Sequence, residues 1–208
     1  MELYIIRHGE TDWNKKRKFQ GQSDIELNDR GRELARITGT ALKDVKFDRI
    51  YSSPLKRAYE TAELIRGEQD IPIITDDRLK EMGFGIREGD SALKIMADES
   101  DPFHYFFTRP DLYQAPEGGE SMEALCDRAA EFLRETIEEE EHQYNKVMIV
   151  AHGACNKAMM CHIRKHGIAD FWKGNLQKNC SVSIVRLENG NYTVLEDNVI
   201  FYEEDSTK

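Results

Sequence analysis

The sequence predicts an α/β fold, a three-layer α/β/α sandwich whose central sheet is mainly parallel with an antiparallel edge. The first observation is that short apolar stretches of strand character alternate with amphipathic stretches of helical period, which is typical of a parallel sheet covered on both faces. The second is Asn189-Gly190 between two strand-like segments, which indicates a closing β-hairpin. The third is length, since 208 residues are enough for one domain with a sizeable core.

The strands are predicted from short apolar runs along the chain. They lie at residues 3–6, 49–51, 71–75, 146–151, 181–187 and 192–196. The last two flank the hairpin turn and form the antiparallel edge. The carboxyl ends of the others are expected to meet at one rim of the sheet, where ligands bind in open α/β folds.

The helices are predicted from apolar residues at three- or four-residue spacing. They cover about 29–44, a segment with apolar positions from Leu55 to Ile65, 121–141 and 154–166. Asn28 is the expected N-cap of the first helix, and Ser53 that of the second, followed by a proline at the first helical position. Gly167 is the expected C-cap of the last helix.

Residues 84–120 break this alternation, because they are rich in aromatic and turn-forming residues. The aromatic residues of the stretch are Phe84, Phe103, Tyr105, Phe106, Phe107 and Tyr113. We expect one domain over residues 1–208, with a cap-like insertion at about 84–120 that covers the rim.

The charge of the chain limits its partners. Its net charge is −10, from 29 basic and 39 acidic residues, which argues against a nucleic-acid ligand, since that would need a basic face. An anionic small molecule would have to be attracted by a local positive cluster.

We expect neither a signal peptide nor a membrane span, and therefore no membrane partner. The four cysteines have no C-x-x-C spacing, so we expect them reduced in a cytoplasmic protein, with Cys155 packed rather than nucleophilic.

Two predicted strands end in His-Gly, at Arg7-His8-Gly9 and at His152-Gly153. The glycines allow a sharp turn and leave the backbone N–H accessible, and a helix N-terminus that favours anions follows the second. Arg57 lies early in the helix that starts at the same rim. Two arginines, two histidines and a helix N-terminus at one rim predict a phosphate clamp, since guanidinium grips phosphate with two hydrogen bonds.

With these residues the chain resembles the histidine phosphatase superfamily, in its phosphoglycerate-mutase-like branch. The resemblance starts at RHGET, residues 7–11, and covers most of the chain in order. Its further motifs are YSSPLKRA at 51–58, LKEMGFG at 79–85, GGES at 118–121 and VAHG at 150–153.

The resemblance implies a role for each residue of the site. His8 would be the nucleophile that becomes phosphohistidine, and Glu81 the general acid and base. Arg7, Arg57 and His152 would hold the phosphoryl oxygens, and the arginines would keep His8 neutral. The implied substrate-binding residues are Asn14, Gln20, Gly21 and Gly153. The family needs no metal, and we expect no cofactor for this protein.

The chemistry of the residues leaves the identity of the acid open. Glu10, Glu88 and Glu120 are alternatives, and Glu81 is preferred because the family motif has its acid directly before the Gly-Phe-Gly turn. Glu10 and Thr11 are expected to brace the loop after His8.

Three other functions compete with a phosphatase of small phosphorylated metabolites. A metallohydrolase could use His8, His152 and a glutamate as zinc ligands, although two neighbouring arginines would repel the dication. A sensor without turnover would need neither nucleophile nor acid. Within the family, a cofactor-dependent phosphoglycerate mutase is the alternative, but the stretch after the acid, GFGIREG, resembles the phosphatases.

One position departs from the phosphatases of the family. Arg87 stands where they usually have an aromatic residue, which suggests a substrate with a second anionic group. The physiological substrate and the oligomeric state stay open, with a homodimer as one option.

Overall fold

A computed structural model describes residues 1–174 and 176–203 and places the strands in one six-stranded sheet. The strands are β1 Glu2–Arg7, β2 Arg49–Ser52, β3 Ile73–Thr75, β4 Lys146–Ala151, β5 Val182–Glu188 and β6 Asn191–Val199. Their order is β3-β2-β4-β1-β5-β6. The first four are parallel, whereas β5 runs antiparallel to β1 and β6 antiparallel to β5. The predicted fold class is confirmed.

Helices cover both faces of the sheet. The α-helices are α1 Asp12–Lys15, α2 Asp29–Ala41, α3 Lys56–Arg66, α4 Ala92–Ala97, α5 Tyr105–Thr108, α6 Met122–Phe132 and α7 Gly153–Arg164. Single 3₁₀ turns lie at Asp77–Leu79, Gly85–Arg87, Pro102–His104, Pro110–Leu112 and Ile168–Asp170. No helix in the described ranges is long and apolar enough to cross a membrane.

The alternation of side chains along β1 produces two cores. Leu3 and Ile5 pack with residues of α6 and α7 on one face, whereas Tyr4 and Ile6 pack with residues of α2 and α3 on the other. All four side chains are buried, which explains why a central parallel strand reads as an uninterrupted apolar run. Burying an isoleucine or leucine fully contributes roughly 1.5–3 kcal/mol, so β1 is a rigid base for the residues at its end.

Helix α2 begins as predicted and supports the rim. The Gly31 N–H donates to Asn28 Oδ1 at 2.8 Å, so Asn28 is the N-cap. A Cβ on Gly31 would lie 2.1 Å from the carbonyl oxygen of Glu10. Glycine is therefore required for the close approach of α2 to the loop after His8.

Three predicted helix boundaries are wrong. Helix α3 begins at Lys56 with Leu55 in the N-cap position, so Ser53 is not its cap. Helix α7 ends at Arg164, and Lys165 is the C-cap in the left-handed region (φ 57°), whereas Gly167 has φ −77°. The helix predicted over 121–141 is α-helical only to Phe132, and Leu133–Glu138 forms wider π turns.

The strand predicted over 71–75 starts two residues later, at Ile73. Pro72 has no N–H to donate to a neighbouring strand, which explains the delay. The predicted hairpin is confirmed, since β5 and β6 are joined by Asn189-Gly190 with φ of 51° and 72°. Two consecutive positive φ angles match a tight type I′ turn.

The stretch 84–120 consists of α4, α5, three 3₁₀ turns and irregular backbone. Phe84, Phe103 and Phe106 are buried and meet Phe19, with ring centroids between 4.8 and 5.6 Å from it. Tyr105 differs from its aromatic neighbours because 44% of it is exposed. The aromatic cluster thus joins this stretch to the loop that follows α1.

Candidate active site

A cavity of about 380 Å³ opens at the carboxyl ends of the parallel strands. Its lining includes eight of the nine predicted site residues: Arg7, His8, Asn14, Gln20, Gly21, Arg57, Glu81 and Gly153. The ninth, His152, lies directly behind the lining, with its ring centroid 5.1 Å from that of His8. The structure therefore brings together residues that the sequence spreads over 147 positions, from Arg7 to Gly153.

His8 is oriented by its own backbone. Its Nδ1 lies 2.6 Å from the carbonyl oxygen of Gly9. Because a carbonyl only accepts, Nδ1 carries the proton and Nε2 keeps its lone pair. Burial, followed by the charges of Arg57 and Arg7, lowers the pKa of His8 well below its usual value. The imidazole is thus neutral at pH 7, and its Nε2 is unprotonated.

The backbone at His8 is held from three sides. The Gly9 N–H donates to Thr61 Oγ1 at 3.0 Å, and Asn179 Nδ2 donates to the His8 carbonyl at 2.9 Å. A Cβ on Gly9 would lie 2.6 Å from the carbonyl oxygen of Gly31, so only glycine fits after His8. These contacts fix the direction in which the imidazole leaves β1.

The two arginines are held by backbone carbonyls. Arg7 Nη1 donates to the carbonyl of Gln177 at 2.5 Å. Arg57 is fully buried, and its Nη1 and Nη2 donate to the carbonyls of Ser23 and Gly21 at 2.8 and 2.7 Å. Burial lowers the pKa of both guanidinium groups, that of Arg57 to about 10. Neither carries a direct ion pair to a carboxylate among the described residues, and the charge that acts on both from the cavity lining is that of Glu81.

The partner of His152 sets its tautomer. His152 Nε2 lies 2.8 Å from Ser53 Oγ, and the Leu55 N–H donates to the same Oγ at 3.3 Å. The Ser53 hydroxyl proton has no other acceptor in the described part of the chain, so we assign it to Nε2, and Nδ1 carries the proton of the ring. Burial, Arg57 and His8 lower the pKa of His152 well below its usual value.

Three buried N–H groups around this cavity lack an acceptor among residues 1–174 and 176–203: Arg7 Nε, Arg57 Nε and His152 Nδ1. An unsatisfied buried donor costs about 1–3 kcal/mol, and more when it is charged. Arginine Nε atoms without acceptors also occur at Arg49 and Arg66, away from this cavity. Three donors without acceptors thus lie on or directly behind the lining of one cavity.

Glu81 lies at the start of α7, where the sequence suggested an anionic ligand. Its carboxylate accepts from the N–H groups of Met82 at 2.9 Å, Cys155 at 3.0 Å and Ala154 at 3.2 Å. The anion at this helix N-terminus is therefore a side chain of the protein. A Cβ on Gly153 would lie 3.7 Å from both Glu81 Oε2 and Arg7 Nε, which places Gly153 between the carboxylate and the clamp.

The other candidate glutamates have different partners and do not line the cavity. Glu88 accepts from the N–H groups of Gln22 and Ser23, both at 2.9 Å, and so shapes the loop that contacts Arg57. Glu120 binds the guanidinium of Arg128 through both oxygens, at 2.6 and 2.9 Å. Glu10 accepts from Asn28 Nδ2 at 2.9 Å, in the bracing role expected of it. Only Glu81 of the four can reach a ligand in the cavity.

The loop after His8 positions Asn14, Gln20 and Gly21. Thr11 is the N-cap of α1, and the Thr11 N–H donates to Asn14 Oδ1 at 3.2 Å. The Thr11 hydroxyl donates to Gln20 Oε1 at 2.8 Å, which directs the Gln20 amide group. Gly21 has φ +54°, and a Cβ there would lie 2.0 Å from Glu88 Oε1, so the turn admits only glycine.

Sequence reasoning missed Arg128, which holds the segment that carries Glu81. Its Nη1 donates to the carbonyls of Arg78 and Lys80 at 2.6 and 2.7 Å, and its Nη2 to the Glu81 carbonyl at 3.2 Å. Glu120 neutralises it from the other side. These partners lie 47 to 50 positions before Arg128, so no local pattern could reveal them.

Sequence reasoning also missed Gln177 and Asn179, because their partners lie far away along the chain. Gln177 is buried, and its carbonyl accepts from Arg7 while its amide oxygen accepts from Asn156 Nδ2 at 2.6 Å. Its amide nitrogen donates to Ser183 Oγ at 2.9 Å. A chain of buried polar groups thus connects Arg7 to β5.

Arg87 does not have the position that a substrate ligand would need. It is not on the cavity wall; its guanidinium pairs with Asp101 and, through Nε at 2.8 Å, with Asp90. It also lies over the ring of Phe103, 5.1 Å from the centroid. The Arg87 charge is used within the protein by two aspartates, so the expectation that Arg87 favours a second anionic group is not supported.

Two further expectations concern cysteine and metal chemistry. Cys155 is buried, and burial raises the pKa of its thiol to about 12, so it is not a nucleophile at neutral pH. Within the described ranges, no three histidine, cysteine or carboxylate side chains are grouped as a metal site.

The sheet carries one cavity at its carboxyl edge, and two histidines and two arginines lie on or directly behind the lining of that cavity. This is the site that the resemblance to the histidine phosphatases implied. The sequence profile of the histidine phosphatase superfamily (branch 1) matches residues 3–200, and the chain belongs to this family. The resemblance seen in the sequence is thus confirmed.

Its relatives include both phosphatases and mutases. Phosphoserine phosphatase 1 of Hydrogenobacter thermophilus is 30% identical over 96% of this chain and 92% of its own length. The 2,3-bisphosphoglycerate-dependent phosphoglycerate mutase of Cytophaga hutchinsonii is 35% identical over 78% of this chain and 77% of its own. The structure of YhfR from Bacillus stearothermophilus superimposes with a TM-score of 0.88 at 34% identity and covers 96% of this chain and 97% of that one.

Proposed function

We propose that this protein is a metal-independent phosphomonoesterase that hydrolyses small phosphorylated metabolites through a phosphohistidine on His8. The observation that carries the proposal is the set of three buried donors, Arg7 Nε, Arg57 Nε and His152 Nδ1, around a neutral imidazole with a free Nε2. A tetrahedral phosphoryl group supplies acceptors for all three donors and an electrophile for the imidazole. A relative named as a phosphoserine phosphatase supports the same class of substrate.

In the first step His8 Nε2 attacks phosphorus and a P–N bond forms while the P–O bond of the ester breaks. The leaving oxygen takes a proton from Glu81, whose carboxyl group faces the cavity beside Gly153. Arg7 and Arg57 neutralise the nonbridging oxygens, where negative charge is concentrated in a loose transition state.

In the second step water attacks the phosphohistidine and transfers its proton to the Glu81 carboxylate. The P–N bond breaks, its electron pair returns to Nε2 and inorganic phosphate leaves. The hydrogen bond from Nδ1 to the Gly9 carbonyl persists through both steps and stabilises the positive charge that the ring gains on phosphorylation. His8 and Glu81 are then back in the protonation states in which they began.

Rapid-quench labelling tests this mechanism. With a ³²P-labelled phosphomonoester, acid-labile and base-stable label should appear on the wild type within one turnover in the presence of EDTA. His8→Asn should show neither label nor turnover of p-nitrophenyl phosphate. Turnover that EDTA removes and zinc restores would replace the proposal with a metallohydrolase, and binding without turnover would replace it with a sensor.

Phosphoglycerate mutase activity is the second candidate, because a mutase is among the relatives. It requires the phosphoryl group of His8 to return to a second substrate hydroxyl instead of to water. Incubation with 3-phosphoglycerate and 2,3-bisphosphoglycerate separates the two functions. Release of inorganic phosphate without 2-phosphoglycerate supports the phosphatase, whereas 2-phosphoglycerate formed faster than phosphate supports the mutase.

We also propose a cytoplasmic location. All four cysteines are unpaired in the structure, with Cys155, Cys161 and Cys180 buried and Cys126 half-buried. Free thiols persist in a reducing compartment. Fractionation of cells that produce the untagged protein would test this.

A further inference from the structure

Part of the cavity lining is not used by the proposed mechanism. It is mostly apolar, and its residues include Phe19, Phe84, Phe106, Phe107, Met96 and Trp172. Within the described ranges, the cations on the lining are Arg7, Arg57 and Lys18, and the only carboxylate is Glu81. Since the two arginines belong to the clamp, Lys18 is the one cation on the wall that would face the rest of a substrate.

Lys18 has a fixed backbone and an uncommitted charge. Its N–H donates to the Trp13 carbonyl at 2.9 Å, and it forms a β-bridge with Ser91. Its Nζ lies 5.5 Å from the centroid of the Trp13 ring. No ion pair links it to an acidic group in the described part of the chain.

The carboxylates beside Lys18 have other partners within the protein. Lys18 also borders a neighbouring groove that contains Asp90, Asp98 and Asp101. Arg87 forms ion pairs with Asp90 and Asp101, and the Asp98 carboxylate accepts from the Ser100 N–H and hydroxyl. Since none of the three forms an ion pair with Lys18 in the described part of the chain, the Lys18 ammonium is available to the cavity.

We propose that Lys18 binds a second anionic group of the substrate, a carboxylate distant from the phosphoryl group, and so selects phosphorylated carboxylic acids over neutral phosphomonoesters. This inference rests on the proposed phosphatase function. The flexible stem of lysine lets the ammonium meet carboxylates at several distances from phosphorus, while the apolar wall contacts the carbon skeleton.

A matched pair of substrates isolates the effect. 3-Phosphoglycerate and glycerol 3-phosphate are both alkyl phosphates of a three-carbon chain, and they differ in a carboxylate against a hydroxymethyl group. In the wild type, kcat/KM should favour 3-phosphoglycerate. In Lys18→Gln this ratio should fall roughly threefold to tenfold, in the range of an exposed charge-assisted contact. Lys18→Arg should retain the preference, and added salt should reduce it in the wild type.

Lys16→Gln is the control, because Lys16 is an exposed lysine of the same loop that is not on the cavity wall. It should leave the ratio at the wild-type value. Two results would overturn the proposal for Lys18 alone. One is a ratio that is equal in the wild type and Lys18→Gln. The other is a wild type that hydrolyses p-nitrophenyl phosphate but does not prefer 3-phosphoglycerate to glycerol 3-phosphate. Failure to hydrolyse p-nitrophenyl phosphate would overturn the proposed function and this inference with it.

Discussion

Ser53 Oγ lies 2.8 Å from His152 Nε2, and this contact sets the tautomer of the buried imidazole. The Leu55 N–H donates to the same hydroxyl, so the Ser53 proton is directed to Nε2. The Nδ1 proton of His152 is then available to a phosphoryl oxygen. A residue expected to cap a helix instead orients a residue of the site.

We predict that Ser53→Ala lowers kcat/KM by about 5- to 150-fold, which corresponds to about 1–3 kcal/mol for loss of a buried hydrogen bond. The ¹⁵N shifts of His152 should also change from the Nδ1–H tautomer to a mixture, which a purely structural role of Ser53 would not produce. Ser52→Ala is the matched control, because Ser52 is equally buried and its hydroxyl donates to the Ser53 carbonyl. An unchanged His152 spectrum in Ser53→Ala would contradict the assignment.

We predict that Glu81→Gln slows hydrolysis of alkyl phosphates by roughly 10²–10⁴-fold and that of p-nitrophenyl phosphate much less. An alkoxide needs a proton to leave, whereas nitrophenolate leaves without much help. The measurement is the ratio of kcat for the two substrates. Glu10→Gln should keep the wild-type ratio, since its carboxylate binds Asn28 outside the cavity. If the ratio is the same in Glu81→Gln, the acid is another group.

We predict that inorganic phosphate is a competitive inhibitor without any metal, and that Arg57→Ala weakens this inhibition by tens-fold or more. Removal of one partner of a buried, charge-assisted contact costs roughly 2–5 kcal/mol. EDTA should leave both inhibition constants unchanged. Arg36→Ala, at an exposed position of α2, is the control, and its inhibition constant for phosphate should equal that of the wild type.

Arg57 also binds the carbonyls of Gly21 and Ser23, so Arg57→Ala could disturb the loop. Arg57→Lys keeps the charge and loses the planar fork. We expect intermediate inhibition from this variant at near wild-type thermal stability. Equal inhibition constants in all three proteins would contradict the clamp.

We predict that the free energy of unfolding decreases as the pH falls below about 6.5, the unfolded pKa of histidine. The folded pKa values of His8 and His152 are lowered, so the unfolded chain binds more protons in the window between the two values. Their contribution to the free energy of unfolding is fully present above pH 6.5. Between pH 6.5 and the lowered folded pKa it decreases by up to about 1.4 kcal/mol per pH unit for each ring.

Urea unfolding of the wild type and His8→Asn between pH 7.5 and about 5 measures this effect. The variant lacks one of the two depressed histidines, so its stability should decrease less steeply. A difference between the two proteins that does not vary with pH would show that His8 titrates normally.

The local patterns of the chain predict most of the fold. Alternating strand and helix periods predict the layers, and Asn28 and Asn189-Gly190 are recognisable because their partners lie within a few residues. The strand-end position of His8 is also a local property, since four apolar residues precede Arg7. The parallel arrangement then brings the ends of β1, β2 and β4 to one edge, where Arg7, His8, Ser53 and His152 meet.

The side-chain partners of the site could not be read from the sequence, because each lies far away along the chain. Ser53 satisfies the capping rule locally, yet His152, 99 positions later, takes its hydroxyl. In the sequence Arg87 has the residue type of an anion-binding group, but in the folded chain it forms an ion pair with Asp101. The start of α7 binds Glu81 rather than a free anion, because a carboxylate 73 positions earlier already faces those N–H groups. Strand and helix periods depend on neighbouring residues, whereas the choice among competing polar partners depends on which groups burial brings within hydrogen-bond distance.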